Sequence, residues 1–350
     1  GCFNETGFVF VTPEKADKLR PNLAFRGDLL FTQRGTLGQV GLIPKDSHYE
    51  RYVVSQSQMK LTVDANRVDA RFVYQYFRLP STIQEILNRT ITAGVPHINL
   101  GILKAFEIPL PPLSIQLAIA AVAQNYDDLI ATNQRRIALL EDAARRLYRE
   151  WFVHLRFPGH ESVPVKDGVP EGQSPESKYY NTDGDGLPFH QGVSDFGHRF
   201  VKHETYTKQA TRIAEAGDIL CSVRAPVGRL NFTRDKIAIG RGLSAMRSRT
   251  GHQSLLFYQL DALFVEEDMI GGGAIFASVG KKELFGQLIL QPSTSIATTF
   301  NRLVSDLDLQ IENLDSQNQE LAKARDLLLP KLMSGQLDVS GIALPDEVAA

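Results

Sequence analysis

Short apolar runs broken by polar turns fill most of this chain, and one such pattern is written twice. GDLLFTQRGTLGQVGLI spans 27–43 and GDILCSVRAPVGRLNF spans 217–232. Each opens with Gly-Asp and two apolar residues, passes through a polar turn, and returns to apolar alternation after a Gly. Alternation with period two predicts strand–turn–strand in both places. The match extends to the Gly7–Val11 segment against the Gly197–Val201 segment, and to YVVSQSQMKLTV (52–63) against KIAIGRGLSAMR (236–247). It continues in TAGVPHINLGILKAFEIPLPP (92–112) against GGGAIFASVGKKELFGQLILQP (271–292), each a Gly-containing loop followed by a short strand closed by Pro. Helical stretches intervene at 69–89 and 252–267. A unit this long exceeds any solenoid repeat, so the pattern predicts a duplicated α+β domain.

Two stretches follow a different period. From Ser114 no Gly or Pro occurs until Pro158. Apolar or small residues recur there at steps of three and four from Ile115 through Ile119, Val122 and Tyr126 to Leu147 and Trp151, with Asn133 on the same seam. A second seam runs from Ile296 through Phe300 and Leu303 to Leu328 and Leu332, with Asn318 on it. Prolines stand just before each stretch, with Ser114 and Ser293 or Ser295 as caps. The spacing predicts long helices over 114–152 and 294–333, paired antiparallel so that each hides the other's stripe. Asn133 and Asn318 would fix the register.

Composition adds limits. Of the 350 residues 43% are hydrophobic and 22% charged, as in an ordinary globular protein of two or three domains. No apolar run is long enough to predict a membrane helix. Two cysteines in so long a chain predict a reducing compartment, the cytoplasm. The net charge of -2 is not that of a basic nucleic-acid-binding domain, but residues 1–110 carry 13 Lys+Arg against 10 Asp+Glu. No catalytic constellation emerges. The His residues are scattered, HRFVKH (198–203) has no zinc spacing, NTDGDG lacks the ligands of a calcium loop, and no phosphate-binding motif occurs. No catalytic residue, metal or cofactor is expected.

The candidate chemistry lies in the turns. The two copies keep one frame, with Gln33, Arg34 and Thr36 in one turn and Ser222, Arg224 and Arg229 in the other. They differ again at Gln56 and Gln58 against Arg241, and at His97 and Asn99 against Lys281 and Lys282. Arg and Gln read guanine and adenine edges through paired hydrogen bonds, and Ser, Thr and Lys suit phosphates. These residues are therefore candidate DNA contacts. An alternative function is a non-catalytic adaptor whose duplicated domains space two protein partners.

GDLLFTQRGTLGQVGLI, ITAGVPHINLGILKAFEIPLPPLSIQLAIA, LYREWFVHLRFPGHE, GLPFHQG and the tail RDLLLPKLMSGQLDV together resemble the specificity subunit of type I restriction-modification systems. The resemblance covers nearly the whole chain. It implies two target-recognition domains related by a pseudo-two-fold and separated by a pair of long antiparallel coiled-coil helices. It implies a first recognition domain over 1–112, incomplete at its N-terminus, and a spacer helix over 113–157. A second recognition domain follows over 158–293, with a second spacer and tail over 294–340. It further implies recognition of bipartite double-stranded DNA, docking of two DNA adenine methyltransferase (modification) subunits, and association with restriction (translocase/nuclease) subunits. The subunit itself performs no chemistry. Tyr148, Trp151, Phe152, Leu329 and Leu332, at the ends of the spacers, are the expected partner contacts.

Overall fold

The computed structural model describes residues 3, 5, 7–92, 95–154, 156, 160–164, 180–266, 284, 288–339 and 341. The chain divides into two compact units, Gly1–Gln134 with Asp315–Ala350, and Arg135–Leu314. Both are mixed α and β. No helix among the described residues is long and apolar enough to cross a membrane.

The first unit contains β1 (Leu23–Phe25), β2 (Leu29–Thr32), β3 (Val40–Leu42), β4 (Arg51–Val53) and β5 (Gln58–Leu61). β2 is the centre of an antiparallel sheet with β3 and β5, and β1 pairs with β4. Three helices follow, α2 (Ala70–Phe77), α3 (Pro80–Asn88) and α4 (Leu100–Lys104), after the short α1 (Pro13–Lys18). Asp69 caps α2, its carboxylate accepting from the Phe72 N–H at 3.0 Å. Pro80 starts α3, where its missing N–H costs nothing. Leu29, Phe31, Phe72, Phe77 and Ile86 form the core of the unit. Ala118 and Ile119 of α5 (Leu113–Tyr148), with Leu329 and Leu332 of α7 (Thr294–Met333), complete it.

The second unit repeats the frame with β10 (Ile213–Ala214), β11 (Ile219–Ser222), β12 (Leu230–Phe232), β13 (Ile237–Ile239) and β14 (Leu243–Met246). Here β11 is central between β12 and β14. The ladders correct the sequence alignment by one residue. Leu29 faces Leu61 as Ile219 faces Met246, so Tyr52 corresponds to Ile237 and Gln56 to Arg241. A five-stranded sheet adds β7 (Tyr180–Asn181), β8 (Leu187–His190) and β9 (Tyr206–Thr207), with β8 parallel to β13. Among the described residues β4, the counterpart of β13, pairs only with β1, and a hollow of about 620 Å³ lined by Phe8, Phe10, Tyr52 and Val54 lies beside it. β15 (Leu288–Pro292) pairs with β6 (His160–Pro164). The matching stretch 107–110 of the first copy forms no strand. α6 (Gln253–Glu266) covers the sheet, and its Leu256, Tyr258 and Leu260 pack with Tyr148, Phe152 and Phe300.

The repeated Gly-Asp sets the same turn in both units. Gly27 and Gly217 adopt φ of 88° and 84°, a region open to Gly. The next carboxylate folds back, Asp28 Oδ2 accepting from the Phe25 N–H at 2.9 Å and Asp218 Oδ2 from the Glu215 N–H at 2.8 Å.

The long helices bury a broader face than a strict seam. Leu129 and Leu303, both on the seam, are exposed, whereas Ala118, Tyr148, Ala297 and Val304, all off it, are buried. Against a domain core a helix presents a wide stripe with a 3.6-residue period, and the narrow coiled-coil seam gives way to it. Asn133 is buried, and the buried Asn318 Oδ1 meets no hydrogen-bond partner among the described residues.

In the first unit Asp127 of α5 ties three elements together. It accepts from Arg78 Nη1 at 2.6 Å and from Arg325 of α7. Burial works to raise its pKa, but the two guanidinium groups outweigh burial and hold the carboxyl below its ordinary value. A depressed carboxylate stabilises the fold above its unfolded pKa, near 3.9, and that contribution is lost as pH falls through the folded pKa. Asp127→Asn is therefore expected to destabilise the first unit by about 2–3 kcal/mol at neutral pH. The difference should shrink below about pH 4. Hydrogen exchange of α2 amides across that range checks this.

Candidate nucleic-acid interface

Strand ends bring the predicted turns of the first unit to one edge. The Gln33 N–H donates to the Ser57 carbonyl at 2.7 Å, and the Ile98 N–H donates to the Gln33 carbonyl at 3.1 Å. Arg34 forms an isolated antiparallel bridge with His97. Gln33, Arg34, Thr36, Gln56, Gln58 and His97 thus share one surface, with Arg34, Thr36, Gln56 and Gln58 exposed. The His97 Nδ1 lies 2.9 Å from the Val95 carbonyl, which leaves Nε2 for another partner. Gly38 has φ of 81°, and a Cβ there would stand 3.0 Å from Ile83 Cγ2, so this turn rests closely on α3. Asn99 has a structural task instead. It is the N-cap of α4, its Oδ1 accepting from the Ile102 N–H at 2.9 Å.

The second unit repeats the scaffold. The Val223 N–H donates to the Gly242 carbonyl at 3.0 Å, as Gln33 does to Ser57. Arg224, Arg229 and Arg241 are exposed. Among the described residues no carboxylate pairs with Arg34 or Arg224, so both guanidinium groups are available to an anion. Ser222 is a correction to the sequence expectation. It is buried, its Oγ donating to the Pro226 carbonyl at 2.6 Å and accepting from the Arg229 N–H at 2.9 Å, so it stitches the turn rather than facing outward. Lys281 and Lys282 lie outside the described residues.

A hollow of about 420 Å³ opens beside this turn, lined by Arg224, Arg241, Gln191, Gly192, Val193 and Ser194 among others. Sequence reasoning did not single out the 191–194 loop as part of the site. Its link to the turn is a backbone bond, Gly242 N–H to the Gln191 carbonyl at 3.2 Å, which leaves no periodic signal. A Cβ on Gly242 would stand 2.3 Å from that carbonyl oxygen, so the approach requires glycine. Nearby, His190 and His203 form a hydrogen-bonded chain between Asp195 and Asp235. The hydrogen bond from His190 is the main cause that holds the Asp195 carboxyl below its ordinary value.

The expected partner contacts are also corrected. Tyr148 and Phe152 are buried with Phe300, Leu329 and Leu332 are buried in the first unit's core, and Trp151 is half-buried against Phe300. These aromatic and branched side chains are large enough to complete the chain's own cores, and they are consumed there. The exposed large apolar side chains of the long helices are Leu129, Leu139, Leu303, Leu309 and Leu327. Among the described residues no group of His, Cys, Asp and Glu could hold a metal ion. Burial pushes the Cys221 thiol up to about 12, so it is no nucleophile.

Residues 10–142 match the family model of the type I restriction modification DNA specificity domain. A Methanocaldococcus jannaschii protein named as the type I restriction enzyme MjaX specificity subunit is 28% identical over 337 residues, 89% of this chain and 79% of its own length. The MjaIX specificity subunit of the same organism is 24% identical over 90% of this chain and 78% of its own length. The crystal structure of a type I restriction-modification system S subunit from M. genitalium aligns with a TM-score of 0.55 at 16% identity. That alignment covers 88% of this chain and 83% of that one, and the likeness is one of fold.

Proposed function

We propose that the chain is a specificity subunit of the type I restriction-modification family, whose DNA specificity domain model matches residues 10–142. It is the non-catalytic subunit that recognises DNA and supports assembly of the enzyme complex. Each repeated domain reads one half of a bipartite double-stranded target. The turn with Gln33, Arg34, Gln56, Gln58 and His97 reads one half, and the turn with Arg224, Arg229 and Arg241 reads the other. Lys281 and Lys282 supply phosphate contacts. The recognition domains extend over 1–112 and 158–293. The helices over 113–157 and 294–340 run antiparallel between them and set the gap. Two methyltransferase subunits dock on these helices, with Leu129, Leu139, Leu309 and Leu327 as their apolar contacts, and restriction subunits join in the full complex. The protein acts in the cytoplasm.

One observation carries this reading: two turns built on the same backbone bonds present different outward side chains. A shared scaffold with changed polar tips suits recognition of two different short sequences. The test is selection of bound duplexes from a randomised pool, followed by affinity measurement against salt. Two separated half-sites and a steep fall in affinity with salt are expected. A salt-independent interaction with no preferred sequence would instead favour an adaptor of two protein partners. Arg34→Ala is expected to lose about 1–3 kcal/mol of binding and to relax one half-site only, if Arg34 reads a base edge. A uniform loss with a shallower salt slope would make it a phosphate contact.

A further inference from the structure

We propose that the 191–194 loop is a third DNA-reading segment of the second recognition domain, held in place by the hydrogen-bonded chain Asp195–His190–His203–Asp235. The inference rests on the DNA-reading role proposed above. His190 is fully buried. Its Nδ1 lies 3.0 Å from Asp195 Oδ2, and its Nε2 lies 2.9 Å from His203 Nδ1. His203 Nε2 lies 3.0 Å from Asp235 Oδ2. The Ser194 hydroxyl donates to Asp195 Oδ1 at 2.9 Å, which joins the loop directly to the chain. On the other side the carbonyls of His190 and Gln191 accept from the N–H groups of Gly240 and Gly242, which flank Arg241. Displacing His190 would therefore move both the loop and the Arg241 turn.

Counting protons shows how the chain closes. An ionised carboxylate only accepts, so the two end contacts need hydrogens on His190 Nδ1 and His203 Nε2. Two neutral imidazoles spend both of their N–H protons there. His190 Nε2 and His203 Nδ1 would then face each other as two lone pairs. One further proton makes the middle contact a charge-assisted hydrogen bond. A fourth would set two N–H groups head to head. The chain is closed only when the pair holds three protons, a single positive charge between two carboxylates. The other charged groups near it in the chain are the exposed Lys202 and Glu204 beside His203, Lys236 in an ion pair with Glu215, and Arg241 on the facing turn. Pro13 stands in the first copy at the position of His203, so the device belongs to the second unit alone.

Histidine is the side chain that changes charge between about pH 5 and 8, so reading by the second unit should follow pH in a way that depends on His203. The experiment uses the full chain and duplexes selected from a randomised pool, with affinity and half-site preference measured across that range. Wild-type preference at the second half-site is expected to peak and to fall about tenfold on both sides, the scale of one charge-assisted hydrogen bond. His203→Gln cannot take up the third proton, and should give a weak, flat profile at that half-site with the first half-site unchanged. Asp235→Asn, at a largely exposed position, keeps an acceptor but removes a charge, and should move the upper limb to lower pH. Two selected half-sites with a pH profile unaltered by both variants would overturn this inference and leave the DNA-reading role standing. A chain that selects no sequence at any pH would overturn both.

Discussion

Arg199→Ala is expected to destabilise the second unit by about 3–5 kcal/mol, because it removes the buried cation that the carboxylates of Asp308 and Glu141 share. Arg199 is only 3% exposed. Its Nη2 donates to Asp308 of α7 and to the Tyr258 hydroxyl of α6, the latter at 3.2 Å. Its Nη1 forms an ion pair at 3.5 Å with Glu141 of α5 but makes no hydrogen bond, so Glu141 attracts it by charge alone. The guanidinium also stacks 4.3 Å from the centre of the Phe257 ring. One side chain thus joins four segments of the unit, and without it Asp308 loses its guanidinium while Glu141 keeps only Arg145 and His198, each at 3.5 Å. Arg199→Lys keeps the charge without the planar fork and should lose less. Hydrogen exchange of α6 amides measures the effect on this unit alone. A loss under about 1 kcal/mol would mean that water reaches the carboxylates and that the centre is not structural.

The corresponding centre of the first unit shows what the sequence could and could not reveal. Asp127 and Asp308 occupy the same place in the two helical repeats, each twelve residues after the first seam isoleucine, Ile115 or Ile296. Each meets an arginine placed over a tyrosine ring, Arg78 over Tyr74 and Arg199 over Tyr258. The aspartates and tyrosines recur with the repeat and are legible from it. The arginines come from unrelated places, Arg78 just after α2 and Arg199 from the segment before β9. Long-range pairing leaves no periodic trace, so no spacing argument finds it. The same holds for His190 and His203, where only the proximity of His198 and His203 is visible in the sequence. In the structure His198 goes to Glu141 and His203 goes to His190. The turn frame was legible because Gly and Asp carry local backbone tasks. Asn99 and Ser222 were misread for a related reason, since a polar residue at a turn serves the backbone as readily as a ligand.

Asp28→Ala and Asp218→Ala are each expected to cost about 2–4 kcal/mol, the loss of two hydrogen bonds to a charged acceptor at Asp28 and of three at Asp218, and to abolish reading of one half-site. Both carboxylates are buried at the start of the reading frame, 3% and 1% exposed. Each holds the backbone N–H three residues before it. The second partner differs. Thr62 donates its hydroxyl to Asp28 Oδ1 at 2.6 Å, whereas Arg247 forks onto Asp218 at 2.7 and 2.9 Å. Thr62 and Arg247 take the same place, one residue beyond the central ladder's last pair, so each clamp fastens the turn to the strand that follows it. Loss of the clamp frees β2 or β11, and with it the turn that presents Arg34 or Arg224. The half-sites should fail separately, the Asp28 variant losing one and the Asp218 variant the other. Asp→Asn substitutions retain one acceptor oxygen. Asp28→Asn should keep the Thr62 bond and lose little, whereas Asp218→Asn removes the charge that holds Arg247 and should lose more. Selection from a randomised duplex pool with the four variants reads this directly. Loss of both half-sites from either alanine variant would show that the clamps support the whole chain and not one recognition unit each.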